Sequence, residues 1–154
     1  MAIAYGLTSH CPSDSSANRR PVRIRLTAPT NVLINILDKP GTPAAANATE
    51  ALGGRVAAVS PVAAMEYTQG NAAAGISPEA AQARLDGMVA SGAAKLILPG
   101  SLIEVGKLMA VDGLKFNDAQ IVAAGVEAGL TTLTSDLKTL ANKVPELTET
   151  YRPR

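Results

Sequence analysis

Three carboxylates stand where this sequence could do chemistry. Glu66 lies in Ser60-Pro61-Val62-Ala63-Ala64-Met65-Glu66-Tyr67, Asp118 in Asn117-Asp118-Ala119-Gln120-Ile121, and Asp136 in Thr134-Ser135-Asp136. Brought to one sheet edge in a partly desolvated cleft, three such groups repel one another by several kcal/mol. A divalent cation turns that repulsion into attraction, and Mg2+ and Mn2+ favour oxygen ligands completed by water and substrate phosphates. Such a site suits phosphodiester hydrolysis. Each acid also has a plainer reading. Asp118 can be a first-turn helix charge, Asp136 the cap of a helix starting at Leu137, and Glu66 a surface residue at the margin of a Val62/Met65 stripe facing the core. Their order and spacing together favour the shared site. Thiol and imidazole chemistry is closed off, because the chain has one cysteine, Cys11, and one histidine, His10. Neither a disulfide within the chain nor a His/Cys zinc site can form from these.

The elements that must position the acids can be read from periodicity and capping. Arg23-Ile24-Arg25-Leu26 alternates with period two, and Asn31 to Leu37 reads as an apolar run continuing that strand. Lys39 to Pro43 is punctuated as a loop, and Ala44 to Leu52 is a helix stopped at Gly53-Gly54. Arg55 to Val59 is a short strand. Ser60-Pro61 and Ser77-Pro78 each place a hydroxyl at an N-cap and a proline at the first helical position. Asn117 takes the N-cap role for a helix from Asp118 to Ala128, closed by Gly129. The remaining expectations are a helix over 78–90, a strand over Lys95–Leu98, a helix over 102–110, a strand over Leu130–Thr134 and a short helix from Leu137 to Asn142, stopped by Pro145. Strands alternating with helices predict a three-layer α/β/α domain with a mostly parallel sheet. In such sheets functional groups gather at the carboxyl ends of the strands, where the three acids fall.

The 154 residues suit one domain, and 47 % hydrophobic against 18 % charged residues excludes a disordered chain. Polar residues 1–20 read as a tail, linker or processed leader before a domain over 21–154. Aromatics are 3 % of the chain, which argues against base-stacking platforms, and a net charge of +1 argues against a broad grip on nucleic acid. A local basic patch stays open, with Arg19, Arg20, Arg23 and Arg25 as a strand-edge cluster. No run of apolar residues is long enough to span a membrane, and no secretory signal is evident at the start.

The strings resemble the PIN-domain ribonucleases, in particular the small single-domain toxins. The resemblance runs from about Arg23 to Val144 and is strongest from Asn117 to Ala124 and from Gly129 to Asp136. Glu66 is similar to the family's second acidic position, and Thr30-Asn31-Val32-Leu33-Ile34 to its opening motif. That motif is normally preceded by aspartate, and this chain has Pro29, which offers no side-chain ligand. Asp38 is too far along to replace it. The resemblance implies a Mg2+- or Mn2+-dependent endoribonuclease acting on single-stranded or structured RNA, such as transfer or ribosomal RNA, with catalysis impaired at Pro29. It implies Glu66, Asp118 and Asp136 as metal ligands, with Asn31 as a further active-site residue. Thr30, Ser135 and Asn117 would hold those ligands by hydrogen bonds, and Arg23, Arg25 and Lys138 would meet substrate phosphates. It further implies an antitoxin or immunity protein as partner, a homodimer as one assembly, and the cytoplasm, of its own or of a target cell, as the site of action. The alternative is a non-catalytic module that keeps the fold to bind such a partner. A small-molecule α/β enzyme fits less well, since Gly53-Gly54 and Ser91-Gly92 match no phosphate-loop spacing.

Overall fold

A computed structural model describes residues 25–152. His10, Cys11, Arg19, Arg20, Arg23 and the expected boundary at residue 20 lie outside them. Five strands, β1 (Arg25–Thr27), β2 (Val56–Val59), β3 (Ala94–Leu96), β4 (Thr132–Thr134) and β5 (Thr148–Thr150), form one sheet in the order β3-β2-β1-β4-β5. Every pairing is parallel, with Thr27 opposite both Ala58 and Thr132. Seven α-helices cover it: α1 (Thr30–Leu37), α2 (Pro43–Leu52), α3 (Pro61–Ala73), α4 (Pro78–Ala90), α5 (Leu102–Ala110), α6 (Phe116–Glu127) and α7 (Leu140–Lys143). The layers are those the alternation of strands and helices predicts.

Two cores result. Leu26, Val32, Leu33, Tyr67, Leu85 and Leu133 belong to the larger one, between the sheet and helices α1–α4. Val105, Leu108, Val122, Leu140 and Val144 make the smaller one, around α5, α6 and α7. The helices are short and Ala-rich, so backbones come close and small residues decide the fit. Gly125 of α6 is the clearest case. A Cβ there would fall 2.6 Å from the Thr27 hydroxyl and 3.3 Å from that of Thr132.

Capping chemistry sets the helix starts well. Thr42, Ser60, Ser77 and Ser101 each accept the N–H three residues on, and the left-handed Gly53 (φ 56°) closes α2. Several expectations are corrected. Residues 31–37 are not a strand continuation but helix α1. A short, mostly apolar run looks the same in either state. Here Pro29, extended at φ −66° and ψ 169°, breaks the strand, and its carbonyl accepts the N–H groups of Val32 and Leu33. Asn117 is not a helix cap: the N-cap of α6 is Lys115, without a side-chain bond. Met65 is not in the core but 57 % exposed; Val62, Ala63 and Tyr67 make the inner face of α3 instead. The third strand stops at Leu96, and the last helix starts at Leu140 rather than Leu137. Strand β5 has no forerunner in the sequence reading, because Thr148-Glu149-Thr150 carries no apolar run.

Candidate active site

The cavity at the carboxyl ends of β1 and β4 is built from four chain segments. The strand order reverses here, since the chain leaves β1 toward β2 and returns to β1's other side at β4. Such a switch point leaves a crevice outside the strand ends. A cavity of about 210 Å³ occupies it, lined by Pro29, Thr30, Asn31, Glu66, Asp118, Ile121, Asp136 and Leu140. The three predicted acids therefore share one cavity, reached from α3, from the first turn of α6 and from the turn after β4.

Each predicted helper is engaged nearby. The Thr30 hydroxyl donates to Glu66 Oε2 at 2.6 Å, and the Asn117 amide donates to Glu66 Oε1 at 2.5 Å. Both oxygens of Glu66 are thus held from two helices, which fixes its carboxylate in the crevice. Asn31 donates to Ser135 Oγ at 2.8 Å and accepts the Val32 N–H at 2.9 Å, tying the start of α1 to the turn after β4. Asp136 Oδ1 accepts the backbone N–H groups of Lys138 and Thr139, at 3.2 and 2.9 Å. Asp136 is thus not the cap of a helix starting at Leu137, since α7 begins at Leu140 after Thr139; one of its oxygens holds the turn before that helix instead.

Asp118 makes no side-chain hydrogen bond among the described residues. Half-burial pushes its carboxyl above the usual carboxylate range, and the negative charges of Glu66 and Asp136 push it the same way; Lys115 and Lys143 partly offset them. The basic residues named from sequence fall elsewhere. Arg25 lines a separate cavity with Lys95 and Glu127, while Lys138 is exposed and does not line the acidic one. Arg25 begins β1 and the acids lie past its end, so one strand length separates them. Lys115 and Lys143 were not anticipated. For Lys115 a signal existed, since it stands one helical turn before Asp118.

The donor set suits a hard divalent cation in kind: carboxylate, amide and hydroxyl oxygens, and no cationic side chain lining the cavity. In spacing the fit is incomplete. Among the described residues no three acidic, His or Cys side chains stand close enough to hold a metal as placed. Pro29, which has no side-chain oxygen, lines the same cavity, and Glu66 and Asp136 are each held by local donors.

Comparison with known proteins agrees with this architecture. Residues 30–145 match the PIN domain family. Among solved structures, one chain of VapBC2 from Rickettsia felis, crystallised with a DNA fragment from its promoter, superposes with a TM-score of 0.61 at 21 % identity, covering 83 % of this chain and 99 % of that one. A chain of a toxin–antitoxin complex from Klebsiella pneumoniae gives 0.56 at 24 %, over 75 % and 90 %. PAE2754 from Pyrobaculum aerophilum gives 0.59 at 16 %, over 84 % and 90 %. At these identities the likeness is one of fold. No curated protein sequence matches the chain.

Proposed function

The chain belongs to the PIN domain family, and from that premise we propose that it is a toxin-type endoribonuclease whose turnover is curtailed by Pro29. The observation that carries this reading is the single cavity holding Glu66, Asp118 and Asp136, where half-burial and then the two acidic neighbours raise the Asp118 carboxyl. Mutual repulsion of that kind has no structural benefit, and it is relieved by a bound cation. Glu66, Asp118 and Asp136 would hold Mg2+ or Mn2+. A divalent cation there supplies positive charge for the phosphate oxygens and lowers the pKa of water.

The chain's own groups do the rest. Asp118, with neither oxygen committed to a hydrogen bond among the described residues, would ligate most directly. Thr30 and Asn117 keep Glu66 in one orientation, which is the part that neighbouring hydrogen bonds play around a ligand. The Asn31–Ser135 bond holds the β1 and β4 sides of the cavity at a fixed separation. Loss of the acid at position 29 leaves the charge of any cation less fully matched and its position less defined. Its partner would be an antitoxin or immunity protein, as the complexes of similar fold suggest.

The backbone at residue 29 already has the extended geometry of an N-cap, a position aspartate fills readily. Pro29→Asp should therefore fold, bind Mn2+ and cleave RNA, and adding Asp118→Ala should abolish the cleavage. Calorimetry with Mn2+ and gel assays on transfer RNA read the two effects. A folded Pro29→Asp protein that binds no Mn2+ and leaves RNA intact would overturn the nuclease reading in favour of the binding module.

A further inference from the structure

We propose that the lip of the acidic cavity is a subsite for single-stranded RNA, in which one base stacks on Phe116 and Lys115 and Lys143 take the adjoining phosphates. The inference rests on the nuclease reading and names the strand-binding part of that same site.

The low aromatic content argued against stacking platforms, but placement changes the weight of that argument. Phe116 is the chain's one phenylalanine, and it is 54 % exposed, whereas Tyr67 and Tyr151 are buried. It is the first residue of α6, one position before Asn117, which holds Glu66, and two before Asp118. An aromatic face worth burying has been left in solvent beside the carboxylates. Two further exposed apolar side chains, Met65 and Leu137, are each next in sequence to a cavity acid. Single exposed apolar residues need no explanation, but three of them stand within two residues of the cavity's three acids in sequence.

Charge selects the occupant. A cavity of carboxylates repels a polyanion, so a strand threading past it needs cations on the rim. Lys115 immediately precedes Phe116 and is exposed. Lys143 is anchored on the same side, its Nζ donating to the Gly113 carbonyl at 2.5 Å in the connection between α5 and α6. Both are close enough for their charges to act on Asp118. An exposed aromatic face and two ammonium groups near the same acid match alternating bases and phosphates, and stacking tolerates any base. A purely apolar protein partner would gain nothing from the lysines.

The chain has no tryptophan, so Phe116→Trp installs a single reporter at the lip. On titration with an uncleavable 2′-O-methyl oligouridine of roughly twelve nucleotides, its emission should be quenched. Phe116→Leu should weaken binding roughly 5- to 20-fold with an unchanged salt dependence. Lys115→Ala and Lys143→Ala should each flatten the salt slope by about 0.7, while Lys39→Ala, on the exposed α1–α2 loop, should match the parent. RNA bound by the parent and by all these folded variants alike would sink the subsite and leave the nuclease reading standing. A parent chain that binds no RNA at low salt would sink both. Self-association that Phe116→Asp abolishes, with RNA affinity unchanged, would assign the lip to a protein contact and also overturn the proposal.

Discussion

At the scale of single residues, Asp118 carries the conflict between stability and function. Its carboxyl is raised first by burial and then by Glu66 and Asp136, so the ionised form is disfavoured in the fold. A raised folded value means that ionisation destabilises the native state above that value. Asp118→Asn should therefore raise thermal stability near neutral pH, by about 1 kcal/mol or less, while weakening any response to cations. Adding millimolar Mn2+ should lift the melting temperature of the parent and leave that of Asp118→Asn nearly unchanged. Equal shifts in both proteins would show that the ion binds elsewhere. The acids themselves were legible in the sequence because Asp136 follows a strand, Asp118 lies in the first turn of a helix and Glu66 lies in the helix directly after β2, near the sheet edge where polar groups concentrate. The bond from Asn117 to Glu66 was not: Asn117 looked like a cap, and only the crossing of α3 over α6 brings it to a residue 51 positions away.

At the scale of elements, the approach of α6 to the sheet fixes where Asp118 stands. Gly125 permits that approach, because the threonine hydroxyls of β1 and β4 occupy the space a Cβ would need. Those hydroxyls, Thr27 Oγ1 and Thr132 Oγ1, are buried and have no hydrogen-bond partner among the described residues, so the contact with Gly125 is one of shape. Gly125→Ala should destabilise the protein by about 1–3 kcal/mol, and Thr27→Ala in the same chain should recover part of that loss. Urea denaturation of the single and double variants measures the coupling; strictly additive losses would show that the two residues do not meet. Helix starts were legible because capping is local chemistry. The α1 segment was misread because a short, mostly apolar run does not by itself tell strand from helix.

At the scale of the whole molecule, the last strand closes the sheet through side chains rather than through its own apolar content. Arg55 donates to Glu149 at 2.9 and 2.6 Å and to the Leu52 and Ala51 carbonyls, so it joins the end of α2 to β5. Asn35 donates to the Tyr151 hydroxyl at 3.0 Å, and Asn47 to the Arg152 carbonyl at 3.1 Å. The Arg55 guanidinium holds the Glu149 carboxyl below its ordinary value. A lowered folded value gives stability that is fully present above the unfolded carboxylate range and is lost as pH falls through the folded value. The melting temperature of the parent should thus exceed that of Glu149→Gln near neutrality, and the gap should close between about pH 5 and about pH 3. A gap that stays constant on acidification would show that the ion pair is not its source. Both side chains are partly exposed, so salt should narrow the gap as well.

The sequence by itself determined most of the alternation of strands and helices, the starts of α3 and α4 and the three candidate acids, because these depend on residues close together in the chain. Only the tertiary structure decided that Glu66, Asp118 and Asp136 line one cavity, that Thr30 and Asn117 hold Glu66, that Phe116 is left exposed, and that residues 148–150 complete the sheet. Those outcomes turn on how close α6 comes to β1 and β4 and on which strand lies beside which. Such distances are set by packing between segments far apart in the chain, and no local pattern encodes them.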